Sequence, residues 1–152
     1  MKEVFFDQIA TGEQLPSLTK PPITRTTLAY FCGASNDHNP VHIDSDFARA
    51  AGADDVFVHG MLDMAYMGQL LTGWVPQSAI LSFGVKFGAI VYVGDTITCH
   101  GEVVDKTEQG GVYSFKLKLR AVDQNGESKL TGEAQVRVSP PRVSAGRTLN
   151  NQ

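Results

Sequence analysis

Long apolar runs are missing from this sequence, and so is any excess of positive charge. No apolar stretch approaches the roughly 18 residues of a membrane span. The opening MKEVFFDQIATG is too polar, and its apolar part too short, for a secretory signal. Lysine and arginine together number 13 against 16 aspartates and glutamates, for a formal net charge of -3. That balance excludes the basic footprint of a nucleic-acid binder. Cysteine is scarce: Cys32 and Cys99 stand far apart, without the paired spacing of a redox or zinc motif. They read as two buried free thiols in a reducing compartment, so the expected location is the cytoplasm. Internal repeats and low-complexity blocks are absent too.

What is present is an ordinary globular composition, 42% hydrophobic and 19% charged. A chain of 152 residues suffices for one domain with a sizeable core. The expected organisation is one domain over 1–140 followed by a flexible tail, 141–152. The tail expectation rests on SPPRVSAGRTLNNQ, rich in Pro, Ser, Gly and Asn.

Periodicity changes along the chain. Residues 1–22 read as loop with one short strand. ITRTTLAYFCGAS reads as a short helix capped by Thr24, with Leu28, Phe31 and Cys32 at helical spacing. SDFARAAG is a second short helix, capped by Asp44 or Ser45 and stopped by Gly52. HGMLDMAYMGQLLTGW is the longest helix. Its Met61, Leu62, Met64, Ala65, Met67, Leu70 and Leu71 leave little polar face, which predicts burial on most sides. The methionines read as core filling.

From Ala79 the period becomes two. AILSFGVKFGAIVYV, DTITCHGEVVDKT, VYSFKLKLRAVDQ and ESKLTGEAQVRVS read as four strands. Phe115, Leu117 and Leu119 alternate with Ser114, Lys116, Lys118 and Arg120, so one face should be wet. Gly110-Gly111 and Asn125-Gly126 supply tight turns. The expected fold class is α+β, a curved antiparallel sheet wrapped around one long helix.

The chemistry concentrates in SNDHNPVHID, Ser35 to Asp44. Pro40 keeps Asp37 and His42 off a common helix and pushes Asn39 toward extended geometry. The chain therefore turns between them, and a turn can bring both side chains to one point. A carboxylate beside an imidazole is a general acid/base pair. Asn39 can hold the turn by bonding its own backbone. A capped structural turn, with Asp37 holding backbone N–H groups, fits the same residues.

The second feature is VHGM, His59-Gly60, at the start of the long helix. A helix start presents unpaired N–H groups and the positive end of the dipole. Gly60 leaves room for an approaching oxygen, which suits an oxyanion forming on a carbonyl. His59 reads as a supporting residue. His38, His42, Asp44 and His59 lack a recognisable ligand spacing, so a metal is not expected.

These stretches resemble a known family. YFCGASNDHNPVHIDSDFARAAG, FVHGMLDMAYMG and VKFGAIVYVGDTITCHGEV look like the MaoC-like dehydratases, the R-specific enoyl-CoA hydratases of hot-dog fold. The resemblance runs from about Thr24 to Val138. It implies a single hot-dog domain, no cofactor, and a homodimer. It implies Asp37 and His42 as catalytic pair, with the Gly60 N–H on the thioester carbonyl and Asn39, Pro40 and His59 supporting the loop. The implied reaction is reversible hydration of trans-2-enoyl thioesters to (R)-3-hydroxyacyl thioesters. The implied partner is an acyl-CoA or acyl-carrier-protein thioester, with no nucleic acid and no membrane.

Three positions depart from the family pattern. Asn36 stands where a Gly is usual, Gly68 near a usual Ser, and Ile90 and Val93 where prolines are common. A hot-dog thioesterase would leave His42 without a task. A non-catalytic thioester-binding subunit would have no need of both Asp37 and His42.

Overall fold

The computed structural model describes residues 5–139, so the expected tail lies outside the described residues. Strand β1 (Leu18–Thr19) is followed by helices α1 (Arg25–Ser35), α2 (Ser45–Ala50) and α3 (Gly60–Trp74). Strands β2 (Ile80–Phe87), β3 (Thr98–Gln109), β4 (Val112–Val122) and β5 (Ser128–Val138) complete the chain. They form one antiparallel sheet in the order β1-β3-β4-β5-β2.

Local sequence accounts for most boundaries. The Thr24 hydroxyl accepts from the Thr27 N–H, and Thr27 answers from its own side chain, a capping box. Asp44 Oδ1 accepts the N–H groups of Asp46 and Phe47 at 2.9 and 3.1 Å and so starts α2. Gly52 follows with φ +93°. Gly110 and Gly111 have φ of 60° and 78°, the two left-handed residues of a primed hairpin turn. Asn125-Gly126 turns differently, since only Gly126 (φ 83°) is left-handed. Its N–H returns to the Asp123 carbonyl, and Asp123 Oδ1 accepts the N–H groups of Asn125 and Glu127. Asp123 thus shapes a longer loop than the Asn-Gly pair alone predicts.

The core lies between α3 and the inner face of the sheet. Leu62, Tyr66, Met67, Leu70, Leu71 and Trp74 meet Phe115, Leu117, Leu119, Ala121, Leu130 and Val136 there. Each such aliphatic side chain contributes roughly 1.5–3 kcal/mol by leaving water. Two helix positions contradict the expectation. Met61 is 56% exposed and Ala65 is exposed, while Asp63 is buried at 3%. A helix this apolar carries almost no stripe in its pattern, so its rotation is set by packing against the sheet rather than by periodicity.

The expected strand over 79–93 is also shorter. It ends at Phe87. At Gly88 the backbone passes so close to β5 that an added Cβ would lie 3.1 Å from the carbonyl oxygens of Ser128 and Lys129. The chain then leaves the sheet, and Tyr92 pairs with Phe57 while the Val58 N–H reaches the Val91 carbonyl at 2.9 Å. This detour anchors residues 57 and 58, immediately before His59 and the start of α3. Cys32 and Cys99 are both buried and free.

Candidate active site

The loop after α1 is a chain of nested turns. Asn36 closes the helix in the left-handed region, φ 59° and ψ 19°, a conformation Asn tolerates in place of Gly. Ser35 Oγ donates to the Phe31 carbonyl at 2.7 Å and accepts from the Asp37 N–H at 3.3 Å. Asp37 Oδ1 accepts from the Asn39 N–H at 3.3 Å, and Asn39 Oδ1 accepts from the Val41 N–H at 3.2 Å. Pro40 then opens a single 3-10 turn, Pro40–His42. Asp37 therefore does hold backbone, as the structural reading of the motif requires, and its carboxylate remains solvent-accessible.

His42 is buried. Its Nδ1–H donates to the Phe57 carbonyl at 2.8 Å. A carbonyl can only accept, so this bond places the proton on Nδ1 and leaves Nε2 with the lone pair. The Phe57 ring packs on the imidazole edge-on, at a centroid distance of 5.0 Å. On the other side lies His59, stacked on His42 with ring centroids 3.9 Å apart and an interplanar angle of 29°.

His59 is 1% exposed. Its Nε2–H donates to the backbone carbonyl of Asp37 at 3.3 Å, which ties the loop to the start of α3. Burial holds its pKa below the usual histidine value. The nearby His42 adds to that, against the opposing pull of the Asp37 carbonyl and carboxylate. One donor atom each from Asp37, His42 and His59 falls within 4.8 Å of the other two. The structure thus brings Asp37 and His42 together across Pro40 and adds His59 to the cluster. Asp44 is spent as the α2 cap, and His38 lies outside the cluster.

Asp37, His42 and His59 are donors of a type that divalent cations accept. Each imidazole already spends one nitrogen on a backbone carbonyl, which leaves one per ring for a proton or a ligand.

Gly60 is the first residue of α3. The preceding His59 makes no side-chain cap hydrogen bond, so its side chain satisfies none of the opening N–H groups of this helix. A Cβ at Gly60 would lie 3.0 and 3.2 Å from two ring carbons of Phe87. The constraint on a side chain here is crowding by that ring alone, since the φ of Gly60 is not left-handed. Gly68, two turns on, has only Phe83 near, at 3.7 Å from an added Cβ. A cleft of about 310 Å³ lined by Arg25, Thr26, Ala29, Ile43 and Val56 reaches His42 from the α1 side.

Sequence reasoning alone missed Phe57, whose carbonyl sets the His42 tautomer, and Phe87, which covers Gly60. Neither carries a signal in composition or spacing. Each is placed by the detour of residues 88–97 and the end of β2.

The family model for the MaoC like domain matches residues 8–125. The chain belongs to this family. An (R)-specific enoyl-CoA hydratase of Aeromonas caviae is 33% identical over 113 residues, which is 73% of this chain and 83% of that protein. A mitochondrial 3-hydroxyacyl-[acyl-carrier-protein] dehydratase of Solanum lycopersicum is 29% identical over 100 residues, 66% of this chain and 61% of that protein. The solved structure of the (R)-hydratase from A. caviae involved in PHA biosynthesis superimposes with a TM-score of 0.75 at 30% identity. That superposition covers 88% of this chain and 98% of the hydratase. The resemblance read from the three motifs, and the hot-dog architecture it implied, are thereby borne out.

Proposed function

We propose that this MaoC-like protein is a hydro-lyase that reversibly hydrates trans-2-enoyl thioesters to (R)-3-hydroxyacyl thioesters. One observation carries the reading. One donor atom each from Asp37 and His42 lies within 4.8 Å of the other and of His59, the residue that immediately precedes Gly60 at the start of α3. The substrates named in the A. caviae and S. lycopersicum relatives, an enoyl-CoA and an acyl-carrier-protein thioester, supply the acyl class and both carriers.

The chemistry follows from the roles. Asp37 accepts a proton from a water that it holds together with His42, and the water oxygen bonds to C3. The C2=C3 electrons move toward the thioester carbonyl. The oxygen that gains charge is met by the Gly60 N–H and the positive end of α3. The proton is returned to C2 by the Asp37–His42 pair, and the carbonyl reforms. Water adds across the double bond with no change of oxidation state overall, so no step calls for a metal or a redox cofactor. Both new bonds form on the face that the pair occupies. Asn39, Pro40 and His59 hold that pair in place.

The assembly we propose is a homodimer. β2 is an eight-residue strand at the sheet edge, with Leu81 and Phe87 exposed, and an open edge of that length invites pairing with a second copy. We also place the protein in the cytoplasm, on the two free thiols; no described helix is long and apolar enough to cross a membrane.

Incubation with a short trans-2-enoyl-CoA tests the function. Loss of the conjugated double bond, with product oxidised by an R-specific but not by an S-specific hydroxyacyl-CoA dehydrogenase, is the expected result. Release of free thiol would make the protein a thioesterase instead, and no change at all would make it a binder.

A further inference from the structure

Among the buried polar side chains of the described residues, four have evident work. Lys129 is ringed by Asp123, Glu127 and the Ile90 carbonyl, and Asp123 is thereby paired. His42 and His59 each hold a backbone carbonyl. Asp63 has none. It is 3% exposed, and its Oδ1 is buried with no hydrogen-bond partner among the described residues. It lies in the first turn of α3, three residues after Gly60, so it sits directly beneath the helix end that the proposed reaction uses.

The surroundings offer this carboxyl little. From α3 itself it faces Tyr66, and from β3 the Cys99 thiol. Asp95, ahead of β3, repels a charge on it, while Lys129 on β5 attracts one but is already committed to Asp123 and Glu127. Lys20 lies near enough to act on Cys99 and sits over the Tyr66 ring, and it bonds Gln69. An ionised carboxylate buried without donors is among the costliest groups a core can hold. As the neutral acid it is far cheaper, so packing of this turn against the sheet and protonation of Asp63 favour one another.

We propose that Asp63 is a proton-dependent latch on helix α3: the neutral acid lets the first turn pack on β3, and its ionisation loosens that turn and weakens the donor at Gly60. Burial first, and Asp95 second, push the carboxyl up to about 7 against the pull of Lys129, so the latch works near neutral pH. Two effects act in the same direction once the charge appears. The carboxylate needs water, which draws the first turn away from the sheet. A negative charge inside that turn also offsets the positive helix end that an oxyanion would meet.

The sign for stability follows from proton binding. The unfolded chain releases this proton near 3.8 and the native state only near 7. Native stability from this group is therefore complete below the lower value, falls as pH rises between the two, and is level above the upper.

The latch on packing stands independently of the proposed reaction, whereas its effect on turnover rests on that reading of Gly60. The experiment keeps them apart. Wild type and Asp63→Asn are unfolded in urea at steps from pH 4.5 to 8.5, with Asp63→Leu as a second variant should the amide not fold. The unfolding constant of wild type relative to the variant is expected to climb by about two to three orders of magnitude across that range, which is the shift read as a population ratio. Curves that stay parallel overturn the latch. Amide exchange over residues 61–66, corrected for its intrinsic pH dependence, should quicken above neutral pH in wild type alone; equal protection in both proteins overturns it too. With enoyl-CoA as probe, kcat of wild type should decline several-fold relative to Asp63→Asn between pH 6 and 8.5, the two being alike at pH 6. Diverging stability with superimposable kcat profiles would overturn the link to Gly60.

Discussion

Gly60→Val is the sharpest perturbation of the proposed oxyanion donor, because the structure separates its effect on folding from its effect on turnover. An added Cβ already meets Phe87 at 3.0 and 3.2 Å, and valine brings two further methyls to the same place. The obstacle is the ring of a residue 56% exposed, which can swing into solvent. The overpacking penalty therefore belongs at the low end of its range, about 1 kcal/mol. Replacing a helix glycine returns roughly half of that, so the melting temperature should move by a few degrees at most. Turnover should not be spared. Removing one preorganised oxyanion donor costs about 10²–10³ in kcat, and a branched side chain crowding that donor should cost at least about tenfold, or roughly 1.4 kcal/mol. Steady-state hydration of an enoyl-CoA, a thermal melt and sizing chromatography on the same sample read all three quantities. The double variant Gly60→Val with Phe87→Ala should recover the lost stability without recovering the rate. Hydration by Gly60→Val within twofold of wild type would refute the placement of the oxyanion at this helix start.

Three further expectations use other parts of the molecule. Asp37→Asn and His42→Ala should each lower kcat by about 10²–10⁴, and the double variant should be hardly slower than either, because groups acting on one water are not additive; wild-type turnover by His42→Ala would end the mechanism. Light scattering at micromolar concentration should give twice the chain mass, and Val85→Pro at the β2 edge should lower it toward one; a monomeric wild type would refute the edge-pairing argument. Gly132→Ala should cost about 1–3 kcal/mol or more, since its Cβ would lie 2.5 Å from the Gly84 carbonyl oxygen, a backbone atom with nowhere to go; an unchanged urea midpoint would refute this close approach of β2 and β5.

Much of this protein was legible as local chemistry. The Thr24 and Asp44 caps, the Gly110-Gly111 hairpin and the alternation along β4 were all readable, because each depends on residues within a few positions of one another. So was the loop. Asp37, Asn39 and Pro40 make turns with their own neighbours, and those turns bring His42 round to Asp37. Long-range partners were not legible. The tautomer of His42 depends on Phe57, fifteen residues away, and the space at Gly60 depends on Phe87.

The sequence by itself determined most of the elements and the turn chemistry of the loop, since short-range sterics and hydrogen bonding decide these. The rotation of α3 was decided only by tertiary structure. Its apolar residues run almost all the way round, so several orientations would bury similar area, and the sheet selected the one that turns Met61 out and Asp63 in. A pattern of hydrophobicity can say that a helix is buried. Which of its side chains faces the core, and hence whether an acid is buried there, depends on the shape of the surface it meets.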